Sequence, residues 1–203
     1  MQLLFSASNA LNKWLKSDLP RLPHEEGKQA GVNSLQSDSV RVSWQVQIID
    51  NEYQSKQKTI IATEAYSRFT VFLAADRPLT VEALSAQLTM QWQSLLAEML
   101  SARLITNGDI AHLLSQLENI PFSIKWVKNT DRSINGHITD ASLWLTQTLR
   151  EHKLSRLPDV LAQDLACHLN NQEKRIKNRK DKFIPIERFL IYCREICKAH
   201  ENI

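Results

Sequence analysis

Glycine is scarce in this chain, with four in 203 residues. The sequence therefore offers no glycine-rich loop of the kind that cradles phosphates through successive backbone N–H groups. Cysteine is sparse too, confined to Cys167, Cys193 and Cys197. So few, and odd in number, they do not make a disulfide framework, which predicts a reducing compartment. Long apolar runs are missing, and none approaches the roughly 20 residues that span a bilayer. The first residues, "MQLLFSASNALNKWLK", lack a basic leader followed by a long apolar core and a cleavage site. These absences together predict a soluble, cytoplasmic protein without membrane attachment. Charge of neither sign dominates: the formal net charge is +3, so the overall balance names no partner. Zinc-finger spacing, RNA-binding signatures, internal repeats and low-complexity tracts are likewise absent.

What is present is enough apolar sequence for one domain with a substantial core, 43% of residues being hydrophobic. Leu4, Ala7, Leu11 and Leu15 fall at steps of three and four, which predicts an amphipathic N-terminal helix over 1–17. Residues 18–39 hold two prolines, two glycines and many polar groups without periodicity, and read as a flexible linker or loop. From Val40 the period becomes two: Val42, Trp44, Val46 and Ile48 alternate with Arg41, Ser43, Gln45 and Gln47, a strand with one face buried and the other wet. "KTIIATE" and "RFTVFLA" follow as two more strands, the three forming an antiparallel meander.

Thr80 then caps a long helix whose stripe is Leu84, Leu88, Trp92, Leu95, Leu96 and Met99, and a shorter helix carries Ile110, Leu113 and Leu117. "FSIKWV" alternates as a fourth strand. A helix opening near Asp131 or Ser133 has Ile134, Ile138, Ala141, Leu145 and Leu149 as its core face. Another starts at Pro158 with Val160, Leu161, Leu165 and Leu169 inward, and a last one starts near Pro185. The expected fold is α+β: one domain over 40–203, a small, mainly antiparallel sheet of about four strands covered by helices, and a helical C-terminal third.

The stretches "SASNALNKWL", "TIIATEAYSRFTVFLA", "FSIKWVKNTDRSINGHITDA" and "IPIERF" together resemble an uncharacterised family of small bacterial proteins, a domain of unknown function. The family pattern runs strand, Asn-Arg-Ser, two apolar residues, Gly, a small residue, an apolar residue, Asn-Asp, then an apolar helix. Arg132, Ser133, Gly136 and Asp140 match it, while Asp131 and Thr139 stand where the pattern has Asn, and Asn135 where it is apolar. The resemblance covers 1–16 and 40–190, and it implies a fold rather than an activity.

Two stretches carry candidate chemistry. In "NTDRSINGHITDA", Ser133, His137 and Asp140 line up along one side of a helix. A hydrolytic triad draws its members from separate elements that converge, so three side chains in a row read first as a capped helix start. Gly136 inside that helix points to close approach of a backbone or ligand, and Arg132 at its start to a small anion. The second stretch, residues 170–183, has Lys174, Arg175, Lys177, Arg179, Lys180 and Lys182 against Glu173 and Asp181. Six cations less two acids is +4, so the rest of the chain sums to −1, and polyanion contact is the functional reading. Cys193, Cys197 and His200 share one face of the last helix but lack the spacing of a structural zinc site, and they read as core.

The resulting expectation is a non-enzymatic binding or regulatory module, without cofactor or metal, that contacts nucleic acid or an acidic protein through 174–182. Two alternatives stay open. One is a small hydrolase or nuclease in which Arg132 orients an anionic substrate and His137 or Asp140 handles protons. The other is a protein–protein interaction module using the N-terminal helix or a sheet edge.

Overall fold

The computed structural model describes residues 1–23, 27, 32–52, 55–102, 107–176 and 182–201. Its elements run β1 (Gln2–Ala7), α1 (Asn9–Leu15), β2 (Arg41–Asp50), β3 (Lys58–Glu64), β4 (Thr70–Ala75), α2 (Val81–Ser101), α3 (Asn107–Asn119), β5 (Ser123–Lys128), α4 (Arg132–Glu151), α5 (Asp159–Asn171), β6 (Lys174–Arg175), β7 (Lys182–Phe183) and α6 (Pro185–Glu201). The class is α+β, with helices making up the C-terminal third.

The sheet has five strands in the order β4-β3-β2-β1-β5, and β6 with β7 forms a separate two-residue hairpin. β1 is parallel to both its neighbours, whereas β2-β3 and β3-β4 are antiparallel. The sheet is therefore mixed, where about four mainly antiparallel strands were expected. The fifth strand corrects the N-terminal helix: Gln2–Ala7 is a central strand, and only Asn9–Leu15 is helical. Leu3, Leu4, Phe5 and Ala7 are all buried, because a strand covered on both faces carries a continuous apolar run without the alternation that marks a half-exposed one. Ser8 separates the two elements by capping α1, its hydroxyl accepting from the Leu11 N–H at 3.2 Å.

Helices cover both faces of the sheet. On one face Trp44 of β2 packs against Trp92 of α2 and Phe189 of α6, with ring centres 6.3 and 5.9 Å apart. Phe189 also stacks on Phe69, and Trp126 of β5 donates to the Ser85 hydroxyl of α2 at 2.8 Å. On the other face the Gln47 amide reaches Asn135 of α4. Burying several aromatic side chains at about 1.5–3 kcal/mol each makes the α2–α6 face a large source of cohesion.

The face of β2 expected to be wet is dry at Ser43 and Gln45, both fully buried. The 32–38 segment lies over Ser43, which donates to the Gln36 carbonyl at 2.6 Å, while Gln45 donates to the carbonyls of Ser6 in β1 and Asn129 after β5. This portion of the expected flexible linker is anchored, with Asn33 and Leu35 buried. Nearer its start, Arg21 bridges the β5 edge at Lys128. In α5 the inward stripe is Ala162, Leu165, Ala166 and Leu169, while Val160 is 75% exposed rather than inward. Cys193 and Cys197 are buried core residues of α6, and burial pushes the Cys193 thiol well above its ordinary value.

Candidate functional site

The segment between β5 and α4 is fixed before any chemistry is considered. Asn129 is buried and pairs with the backbone of Asn33 through both ends of its amide, accepting from the Asn33 N–H at 2.7 Å and donating to its carbonyl at 2.9 Å. Asp131 caps α4: one oxygen accepts from the N–H groups of Ser133 and Ile134 at 2.7 and 3.1 Å, and the other from the Leu35 N–H at 2.7 Å. Its own N–H donates to Gln45 Oε1 at 2.9 Å. The strand-to-helix junction is thus a polar knot joining β1, β2, the 32–38 segment and α4.

Arg132, His137 and Asp140, the candidates from α4, divide between two places. Arg132 is exposed and borders a depression of about 420 Å³ with Asn33, Ser34, Asp131 and Ser133. His137 and Asp140 line a different one, of about 400 Å³, together with Trp144, Lys174 and Arg175. The structure therefore brings His137 and Asp140, but not Arg132, beside the base of the basic hairpin, a juxtaposition that sequence spacing does not reveal. Ser133 is absent from that lining, and its hydroxyl accepts from Arg68 Nη2 at 3.2 Å. Ser133, His137 and Asp140 do not share a cleft.

His137 is held far below its ordinary value, at about 4, first by burial and then by the positive charges of Arg68 and Lys174, with Asp140 opposing. At neutral pH it is an uncharged imidazole. Lys174 is lowered by burial and partly restored by Asp140. Trp144 stands 42% exposed beside these cations, its other edge against the His168 ring at 5.2 Å. Lys182, across the hairpin, pairs with Glu173 at 2.7 Å. Lys177, Arg179 and Lys180, also named as nucleic-acid contacts, lie outside the described residues.

Gly136 does not mark a close approach among the described residues: a Cβ built there meets nothing within 4 Å. The residues that sequence reasoning passed over are Tyr66, Arg68 and Arg188. Arg68 closes the turn between β3 and β4 in a left-handed conformation, φ 65°, that costs a non-glycine residue roughly 1 kcal/mol. Its N–H donates to the Glu64 carbonyl at 3.1 Å, and Nη1 donates to the Ala65 carbonyl. Arg188 of α6 lies over two rings, its Cζ 4.1 Å from the centre of Tyr66 and 4.7 Å from that of Phe183. Arg68 and Arg188 line a third depression, of about 360 Å³, with Ser37, Tyr66, Asp131 and Ser133. A fourth adjoins it along Tyr66, Arg188, Lys182 and Phe183. Only a positive charge near aromatic residues could have hinted at this from sequence, and those residues come from three separate elements.

These depressions share lining residues, so a groove runs from the hairpin past Arg188 and Arg68 to Arg132. The fold and site define a single α+β domain with a cationic, partly aromatic groove at one end of its sheet. Compared with protein-family models, curated proteins and solved structures, the chain has no match. Among the described residues no helix is long and apolar enough to cross a membrane.

Proposed function

We propose that this is a cytoplasmic, non-enzymatic binding or regulatory module that contacts nucleic acid through the basic hairpin, and that it belongs with the uncharacterised bacterial family it resembles. The observation that carries the reading is the grouping of Lys174 and Arg175 with exposed Trp144 in one depression, with Lys182, Arg188 and two aromatic rings on the other side of the same hairpin. Lysine and arginine neutralise phosphates and release counterions, and the exposed Trp144 ring gives a base a surface to stack on. The partner class is a polyanion, and single strands fit better than duplex because aromatic groups interleave with the cations.

The hydrolytic alternative is less well supported. Its serine is held by Arg68 in a different depression from His137, and an imidazole at about 4 is a weak base at neutral pH. For an interaction module the N-terminal helix is shortened to α1, Asn9–Leu15, because Gln2–Ala7 is a strand paired on both sides, and β4 and β5 are the sheet edges that reading would use.

Fluorescence anisotropy with labelled single-stranded oligonucleotides across a salt series tests the reading. Binding is expected to weaken with salt, and Arg175→Gln with Lys182→Gln to flatten the log–log slope by about 1.4. Lys177→Glu with Arg179→Glu is expected to weaken binding at every salt concentration. No binding at low ionic strength rejects the proposal.

A further inference from the structure

We infer that the cavity between Arg68 and Arg188 is a binding site for one phosphate group, carried as a phosphomonoester. It rests on the polyanion reading only for where that phosphate comes from.

The cavity, about 360 Å³, lies between the 34–37 segment, the 65–68 turn, the start of α4 and α6. Arg188 is oriented by stacking: its guanidinium lies 4.1 Å from the Tyr66 ring centre and 4.7 Å from that of Phe183. Among the described residues this side chain makes no hydrogen bond or ion pair. Ring contacts engage the faces of a guanidinium and leave its in-plane N–H groups for an oxyanion, which is the geometry of bidentate recognition. Arg68 brings a second guanidinium; the residue is only 7% exposed, and its side chain is oriented through Ser133 Oγ and the Ala65 carbonyl.

The nearby carboxylates are already engaged. Asp131, the only acid in the lining among the described residues, accepts from Ser133, Ile134 and Leu35. Glu64 beneath it accepts from the N–H groups of Tyr66 and Ser67 and from the hydroxyls of Ser37 and Ser67. Among the described residues two cations against one such acid leave the lining at +1. At the α4 N-terminus Asp131 takes the Ser133 and Ile134 amides, and the site stands on side chains and not on the helix end. Two guanidinium groups and the hydroxyl of Ser133, which accepts from Arg68 and keeps its own proton, offer more donors than the two oxygens of a carboxylate can accept. The three terminal oxygens of a phosphomonoester match them.

The source is either a small phosphomonoester or the phosphorylated end of a strand. Calorimetric titration of the full chain with adenosine 5′-monophosphate and with adenosine tests the site itself. The nucleotide is expected to bind and the nucleoside not, with Arg188→Ala weakening the nucleotide by about tenfold or more. Because the Arg188 guanidinium holds no hydrogen bond among the described residues, that variant is expected to fold, and a circular dichroism melt verifies it. Arg68→Lys is expected to reduce binding as well. A second titration compares a 5′-phosphorylated with a 5′-hydroxyl oligonucleotide. Tighter binding of the phosphorylated strand makes the strand end the source, and equal binding makes a small phosphomonoester the source; both support the site. Lys177→Glu with Arg179→Glu is expected to lower oligonucleotide affinity and leave the mononucleotide unchanged, which separates the hairpin reading from this one. Equal behaviour of nucleotide and nucleoside, or full affinity in Arg188→Ala, overturns the inference.

Discussion

Asn170 of α5 pairs with Thr70 of β4 as a strand would, accepting from the Thr70 N–H and donating to its carbonyl, both at 2.8 Å. Both residues are buried where β4 has no neighbouring strand on its outer side. The amide satisfies two backbone groups that water cannot reach. Asn170→Ala leaves both without partners, each at about 1–3 kcal/mol, so a loss of about 2–4 kcal/mol is expected. Asn170→Asp keeps the acceptor but sets a carboxylate against the Thr70 carbonyl, and a loss at least as large is expected. Urea unfolding followed by circular dichroism measures both, and a change under about 1 kcal/mol in the alanine variant contradicts the account.

Asp131 has two tasks that one substitution separates. One oxygen caps α4, and the other holds the Leu35 N–H. The side-chain amide introduced by Asp131→Asn retains a carbonyl oxygen for the cap but turns an NH2 toward Leu35. This variant is therefore expected to leave α4 intact while Leu35 amide exchange accelerates. Asp131→Ala removes both contacts and is expected to cost about 2–3 kcal/mol. Hydrogen exchange read residue by residue distinguishes the two.

Where local chemistry decides structure, the sequence was a good guide. The Thr80 cap and the α4 stripe of Ile134, Ile138, Ala141, Leu145 and Leu149 stand as read, and of the two cap candidates, Asp131 and Ser133, it is Asp131 that caps α4. Errors arose where tertiary placement overrides pattern. Leu4 and Ala7 share helical spacing with Leu11 and Leu15, yet β1 lies between two parallel strands. Ser43 and Gln45 look solvent-facing until the 32–38 segment covers Ser43 and the β5–α4 junction takes up Gln45. The basic run was visible as charge, and His137 and Asp140 as titratable types, but their meeting with Lys174 depends on how α4 packs beside the hairpin. Arg68 and Arg188 carried no legible signal, because Tyr66, Phe183 and Arg188 come from a turn, a hairpin and a helix.

His137 gives a pH signature. Its folded value, about 4, lies below the 6.5 of an unperturbed imidazole, so as pH falls the unfolded chain takes up the proton first. The stability tied to neutral His137 is complete above about pH 6.5 and is lost as pH falls toward 4. With the ring part-exposed, the span is on the order of 2 kcal/mol. His137→Gln is expected to flatten the difference between the stabilities at about pH 4.5 and about pH 7. An NMR titration of the ring gives the folded value directly, and a midpoint near 6.5 removes the premise. A polyanion held by neighbouring Lys174 offsets the positive field, so the same titration with oligonucleotide bound is expected to move upward.

Gly136 poses the opposite case, a residue whose place in the helix looks costly and whose surroundings supply no reason for it. It sits within α4, exposed, with open space where a Cβ would be and no positive φ. An alanine there loses less backbone freedom on folding and meets no neighbour. Gly136→Ala is therefore expected to stabilise the protein by about 0.5–1 kcal/mol, seen as a higher urea midpoint with unchanged slope. If glycine is kept because a bound chain passes over this turn, between the depressions of Ser133 and of His137, the same variant gains stability while its oligonucleotide affinity falls. Unchanged affinity makes Gly136 neutral to binding, and lower stability shows that the added methyl group meets something after all.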